Sequence, residues 1–435
     1  MARQIRASLS MAGSPLLAIA VLLTVAGVTF SFQEAPEVAY PPGPFPDRVI
    51  LTWSEDPATT MSVTWRTDAS VSRGFAEIAE ALDSPDVAKQ ARRVEASTER
   101  YQTNAGAAHS HSVTFRNLQP GRAYLYRVGD GKRWSEWNQF RTAGGRGDPL
   151  TFLYLGDVQS EIHSLWARVI RQAFATAPEA KFIVYAGDLI NDNDRDEQWG
   201  EFHAAAGFIH RMIPVLAAPG NHEYSSRERR LTPNWRPQFA FPANGPAGLE
   251  ETCYWLDIQG LRLVVLNSVE KRKEQAEWLD ALLARNPAAW TVVVFHHPIY
   301  SSARGRDNRE LRELWQPVFD KHGVDLVLQG HDHTYARTGP RRFGSASSGH
   351  AGAVYVSSVS GAKMYEMDRP QAFERAAEQT QLFQVIRIEN DRLRFEARTA
   401  SGALYDAFEL HKRADRSVEF RDLAPKTSPR LRKAA

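Results

Sequence analysis

Phe182-Ile183-Val184-Tyr185-Ala186-Gly187-Asp188-Leu189-Ile190-Asn191-Asp192 decides how this chain is read. Four apolar or aromatic residues run straight into a Gly-Asp pair. Such a run is a buried strand, and the glycine marks a tight turn that aims one carboxylate outward. Alone, a Gly-Asp turn carries little weight. The design recurs, however. Leu153-Tyr154-Leu155 ends in Gly156-Asp157, Val292-Val293-Val294-Phe295 ends in His296-His297, and Leu326-Val327-Leu328 leads to Gly330-His331-Asp332-His333. Pro219-Gly220-Asn221-His222-Glu223 lies between them. The five turns carry Asp, Asp, Asn, His and a His-x-His.

Working outward, the segments between these runs have helical periodicity. Ile162 to Ala177 places Leu165, Val169 and Ala173 on one stripe, Gln275 to Ala284 turns Ala276, Leu279 and Leu283 inward, and Arg309 to Lys321 forms a third helix. Apolar strands alternating with helices predict an α/β domain over residues 150–412, with its ligand site at the carboxyl ends of the strands. Ala353–Val356, Phe383–Ile388, Leu393–Thr399 and Ala407–Leu410 predict a closing sheet. Upstream, Met61–Trp65, Ser112–Phe115 and Tyr124–Val128 alternate apolar and polar residues. They predict a fibronectin type III-like β-sandwich over residues 47–143. Leu118-Gln119-Pro120-Gly121 before Tyr124 suggests a turn closed by a corner tyrosine. The Ala-rich, charged stretch from Ala79 to Arg93 reads as an inserted loop or short helix. Gly144 to Pro149 is a glycine-rich boundary, and the Arg-Gly-Asp inside it is a chance feature of a linker.

The ends of the chain read differently. Arg3 and Arg6 precede an uncharged, apolar stretch from Pro15 to Phe30, so residues 1–32 read as an export signal. An uncleaved anchor, attaching the protein to a membrane, is the alternative. Either places the folded part in a periplasm, in a cell envelope or outside the cell. Residues 33–46 form a Pro-rich lead-in. Residues 413–435 read as a solvated basic tail, with weak attachment to an anionic surface as the alternative. The net charge of +2 over 435 residues gives no field that would gather nucleic acid. The single cysteine, Cys253, excludes an internal disulfide framework and any multi-cysteine metal site.

If the five turns converge, they bring together Asp157, Asp188, Asn221, His296, His331 and His333. Carboxylate and amide oxygens with imidazole nitrogens suit Zn, Mn or Fe. Six donors exceed what one catalytic zinc takes and suit two divalent ions sharing a bridging ligand.

These motifs, in this order and approximate spacing, are similar to those of the calcineurin-like metallophosphoesterases. The sandwich before them resembles the N-terminal domain of purple acid phosphatases. Leu51-Thr52-Trp53, His297-Pro298-Ile299-Tyr300-Ser301 and Val359-Ser360-Gly361-Ala362-Lys363-Met364-Tyr365 extend the likeness, which covers nearly all of residues 47–412. The resemblance implies that Asp188 bridges two ions, that Asp157 and His333 complete one site, and that Asn221, His296 and His331 complete the other. It implies that His222 orients phosphate and protonates the leaving oxygen while a hydroxide held by the metals attacks phosphorus. The implied fold is a β-sandwich followed by a metallophosphoesterase α/β sandwich. The implied protein is an exported, dinuclear-metal phosphatase acting on small phosphomonoesters. A phosphodiesterase or nucleotidase using the same site is the alternative, and a non-catalytic binding or adhesion protein a more distant one.

The chain departs from the family pattern in three places. Gln159 stands where relatives have glycine or histidine, and its carbonyl is within reach of the first ion. Arg304 and Arg306 stand where plant-type relatives carry further histidines; a guanidinium there suits phosphate oxygens, so both are candidate substrate clamps. His297 is a candidate for substrate contact or for a structural role. Asn191, a candidate metal neighbour, replaces the tyrosine whose phenolate binds ferric iron and colours purple acid phosphatases. An amide supplies no charge-transfer phenolate, so the metal-loaded protein is expected to be colourless. A visible-range spectrum checks this, and an absorption band near mid-spectrum would overturn it.

Overall fold

The structure, a computed structural model, describes residues 39–225, 227–228, 230–343, 351–415 and 417–431. The segment that carries the expected export signal lies outside the described residues. Among those described, no helix is long and apolar enough to cross a membrane.

The chain first builds eight short strands: β1 (Asp47–Thr52), β2 (Met61–Asp68), β3 (Phe75–Glu80), β4 (Arg92–Glu95), β5 (Ser97–Thr103), β6 (Gly106–Phe115), β7 (Ala123–Gly129) and β8 (Asn138–Arg141). They form two layers, β1-β2-β6-β5 and β4-β3-β7-β8. Alternation drives the packing: Tyr124, Tyr126 and Val128 of β7 are buried with Phe115 and Phe140 in the common core. The Tyr124 hydroxyl accepts a hydrogen bond from the Gln119 amide at 2.8 Å, which closes the corner. The stretch from Ala79 to Arg93 contains a single 3-10 turn, Pro85–Gln90, between β3 and β4.

Next come β9 (Leu150–Leu155), α1 (Ala167–Thr176), β10 (Phe182–Tyr185), α2 (Asp196–Ala206), α3 (Ile209–Met212) and β11 (Val215–Ala217). Then follow β12 (Tyr254–Ile258), β13 (Leu261–Val265), α4 (Arg272–Leu283), β14 (Trp290–Val294), α5 (Arg309–His322), β15 (Leu326–Gln329), β16 (Tyr335–Arg337) and β17 (Val354–Ser357). The chain ends with β18 (Arg375–Ala377), β19 (Leu382–Glu389), β20 (Arg392–Thr399), β21 (Leu404–Lys412) and β22 (Val418–Asp422). β9, β10 and β11 are parallel neighbours, and β13, β14, β15 and β17 form a second parallel run. Two-residue periodicity decides what each face meets. Val292 and Val294 enter the core that the two sheets share, whereas Val293 and Phe295 pack with Trp315 and Phe319 of α5. The sandwich is not a separate bead. β1 pairs in parallel with β11 at Thr52 and Val215, so one sheet of eleven strands runs β22-β21-β20-β19-β9-β10-β11-β1-β2-β6-β5.

Two expectations need correction. The stripe of the first helix is shifted: Trp166, Val169, Ile170 and Ala173 are buried, and Leu165 is 41% exposed. The cause is a π-helical turn over Ile162–Trp166, whose extra residue rotates the phase before α1 begins. The tail after Leu410 is also not simply a solvated one. Val418–Asp422 pairs with β21 as the last strand, Phe420 packs on Phe408, and Asp422 reaches the buried Arg337.

One buried ionic cluster fastens the sandwich to α2. The carboxylate of Asp196, fully buried, accepts from Arg48 at 2.7 Å and from Arg66 at 2.9 Å. Removing one partner of a buried ionic group leaves the others uncompensated. Asp196→Ala is therefore expected to destabilise the fold by ~3–5 kcal/mol in urea titration, through a stranded Arg48 guanidinium and an Arg66 left with Asp47 alone.

Candidate metal centre

The two parallel runs end at the same edge of the molecule, and their turns bring the six side chains together. β9, β10 and β11 deliver Asp157, Asp188 and Asn221, and β14 and β15 deliver His296, His331 and His333. Asp157, Asp188, His331 and His333 all hold positive φ, at 44°, 52°, 74° and 47°. Left-handed backbone in aspartate and histidine, at three strand ends facing one another, is strain of the kind that gathers at functional sites. Glycines make the approach close. Gly187 sits at φ 86°, and a Cβ on Gly220 would collide with the Asp188 carboxylate.

Two groups of converging donor atoms result, Asp188-His296-His331 and Asp157-Asp188-His333, each spanning no more than 4.8 Å. Asp188 belongs to both. Hydrogen-bond directions indicate what the groups lack. His296 turns Nδ1 to the Ala186 carbonyl at 2.8 Å, so that nitrogen carries the proton. Its Nε2 then offers a lone pair, yet it faces Asp188 Oδ2, Asn221 Oδ1 and His331 Nδ1, each at 3.1 Å. Likewise His333 gives Nδ1–H to the Lys363 carbonyl at 2.9 Å and turns Nε2 inward, 3.7 Å from Asp157. Imidazoles that direct Nδ1–H outward to backbone carbonyls and converge their Nε2 atoms with carboxylate oxygens fit a cation, which would replace the proton His296 shares with Asp188, and the O/N donor set fits a hard or borderline divalent one.

The electrostatics agree. Burial pushes the Asp157 carboxyl far above its usual range. Burial also opposes ionisation of Asp188, but His296 beside it holds that carboxyl well below the usual range. Burial pulls His296 down and Asp188 outweighs it, raising the imidazole to about 9. Burial depresses His333 to about 3 and, reinforced by His296, drives His331 lower still. Without a cation, Asp188 is balanced by one imidazolium; divalent charge would take over that balance.

The remaining candidates fall in distinct places. His222 lies beside the centre, 25% exposed, with Nε2 4.0 Å from Asp188 Oδ2 and its backbone amide bonded to Asp188 Oδ1 at 3.0 Å. Its Nδ1 meets the Asn191 carbonyl at 2.6 Å. Asn191 thus acts through its main chain, and the residue is exposed. Gln159 is fully buried; its amide nitrogen faces Asp188 Oδ2 at 3.1 Å and His333 Nε2 at 3.0 Å, while its carbonyl oxygen has no partner. His297 packs its ring 4.2 Å from that of His331 and bonds Ser268 through Nδ1 at 2.9 Å. Arg306 bonds the His331 carbonyl at 2.7 Å and lies over the Tyr365 ring. Arg304, 66% exposed, is taken up by Glu366 and Asp368.

Two contributors carry no periodicity or spacing signal. Lys363, whose carbonyl holds His333, is a half-buried cation beside Tyr365, and the Tyr365 ring packs on His333 at 4.6 Å. Glu223 is the other. Fully buried, it accepts from the amides of Gly220 (2.7 Å), Asp188 (3.0 Å) and Leu189 (2.8 Å), stitching two of the turns together.

Residues 46–142 match the family model for the purple acid phosphatase N-terminal domain, and residues 150–335 match the one for calcineurin-like phosphoesterases. Human acid phosphatase type 7 is 27% identical over 264 residues, 53% of this chain and 57% of that protein. Purple acid phosphatase 15 of Arabidopsis thaliana is 26% identical over 268 residues, 52% and 49% of the two chains. The matches thus span about half the length of these relatives. The structure of a purple acid phosphatase from yellow lupin (Lupinus luteus) seeds is similar in fold, with a TM-score of 0.70 at 20% identity over 84% of this chain and 74% of that one. The chain is a purple acid phosphatase-like member of the calcineurin-like phosphoesterases, a family of hydrolases.

Glu223→Gln tests the stitch. An amide NH2 facing backbone N–H donors leaves buried groups unpaired, so the variant is expected to lose ~2–3 kcal/mol of stability and to retain less metal. Wild-type melting temperature and metal content in the variant would count against the assignment.

Proposed function

We propose that the protein is an exported phosphatase that hydrolyses phosphomonoesters at a centre of two divalent ions. The observation that carries this reading is the membership of Asp188 in both donor groups, which suits a carboxylate shared between two cations. Asp157 and His333 would complete one site, where Gln159 would offer its carbonyl as a further donor once its amide, whose nitrogen faces Asp188 and His333, turns by half a revolution; Asn221, His296 and His331 would complete the other. Two ions held there would supply Lewis acidity that activates water and offsets phosphate charge.

The chain's own residues do the rest. Arg306, anchored to the His331 carbonyl and 3.4 Å from Asp332, and Lys363, which with it flanks the Tyr365 ring beside His333, suit the non-bridging oxygens of a phosphate dianion. We assign substrate contact to them rather than to Arg304, whose charge is matched by two carboxylates. His297 supports His331 from behind. His222, with Nδ1–H tied to the Asn191 carbonyl, keeps Nε2 available to hold a proton. As water oxygen bonds to phosphorus and the ester P–O bond breaks, that proton passes to the departing oxygen. Export rests on Arg3, Arg6 and the apolar stretch that follows them.

Asp188→Asn is expected to reduce turnover of an aryl phosphate by at least ~10³-fold and to lower metal content, and chelation of the wild type should abolish activity until metal is restored. Full activity in the variant would overturn the two-ion reading. Faster hydrolysis of a bis-aryl diester than of the aryl monoester would shift the substrate class to diesters.

A further inference from the structure

The imidazole of His222 is oriented by a backbone carbonyl, that of Asn191, and the Asn191 loop is held by α2, whose first turn is anchored to the β-sandwich. Gln198, in the first turn of α2, accepts through Oε1 from the amides of Asn191 at 2.8 Å and Asp192 at 2.9 Å. The position of Gln198 follows from the start of α2. Arg195, the residue at the helix cap, makes no side-chain cap. The amide of Asp196 donates instead to Oδ1 of Asn104 at 2.8 Å, ninety-two positions earlier in the sequence. Asn104 lies in the two-residue turn between β5 and β6, so the cap is supplied by the sandwich. The same residue of α2 is gripped through its side chain by Arg48 and Arg66, both of the sandwich. The Tyr40 ring, whose backbone carbonyl accepts from Arg66, packs on Gly200 one turn further on.

We propose that the β-sandwich is a positioning element for proton transfer: Asn104, through Asp196, Gln198 and the Asn191 carbonyl, sets the orientation of the His222 imidazole. This rests on His222 being the general acid. Asn104 touches no reacting atom. Its effect is geometric, because a general acid misplaced by a fraction of an ångström transfers its proton less well.

Leaving-group dependence tests the proposal, since loss of proton transfer penalises an alkyl phosphate and spares p-nitrophenyl phosphate, whose phenolate departs unaided. His222→Ala, the reference, is expected to slow the alkyl ester roughly 10²-fold while changing the nitrophenyl ester little. Asn104→Ala is expected to lower kcat for the alkyl ester about five-fold, with kcat for the nitrophenyl ester, inhibition by inorganic phosphate and metal content unchanged. Asn104→Asp, which keeps an accepting oxygen, should restore the alkyl rate. If His222→Ala separates the two esters and Asn104→Ala slows both alike or neither, the positioning role is overturned while the general acid stands. If His222→Ala fails to separate them, the general-acid reading falls and the positioning role with it.

Discussion

Asp188 is a buried carboxylate that the fold keeps ionised, and much of the surrounding architecture answers to that requirement. A charge of this kind is tolerated in a protein interior only with a close counter-charge and satisfied hydrogen bonds. Here the backbone amide of His222 and the side-chain amide of Gln159 bond its two oxygens, and His296 stands 3.1 Å away. To bring His296 so close, the second sheet must face the first with β14 and β10 ending at one level. To let the turn at Asp188 meet the turn at Gly220, a glycine is needed on one side and the Glu223 carboxylate between them. The carboxylate thus links the register of two sheets to the chemistry of one site.

Much of this was legible in the sequence, for a definite reason. Strands buried on both faces are written as unbroken apolar runs, and a turn that leaves such a strand stands out when it carries Gly-Asp or Gly-His. Asp157, Asp188, His296, His331 and His333 could be named because each sits within a few residues of its strand. Asn221 was readable from the Pro-Gly before it. Lys363 leaves no pattern of its own, because its contribution to the site is a backbone carbonyl and an ammonium over the Tyr365 ring. Glu223 was in view beside His222, but its bonds run to amides thirty-five and thirty-four positions away, and no local rule encodes them. The same holds for Asn104, ninety-two positions from Asp196.

Two elements differ from their sequence pattern for physical reasons. Leu165 fits a 3.6-residue stripe, but the π turn inserts a residue that propensity does not announce. The charged segment after Leu410 looks solvated because an edge strand needs only a few apolar contacts. Val418–Asp422 is held largely by its ladder to β21, with Phe420 as its one large apolar anchor. Composition reports what a segment could bury and is silent about pairing that depends on a neighbour's free edge.

The parallel pairing of β1 with β11 has a consequence for how such a protein can change over evolutionary time. A domain attached by a linker can be lost or exchanged with no effect on its neighbour. Here the short β11 would be left with an open edge at Val215, an invitation to another chain. A descendant that discards the sandwich must first grow something to cover that edge. The partnership is therefore a ratchet: easy to enter by adding one strand, hard to leave.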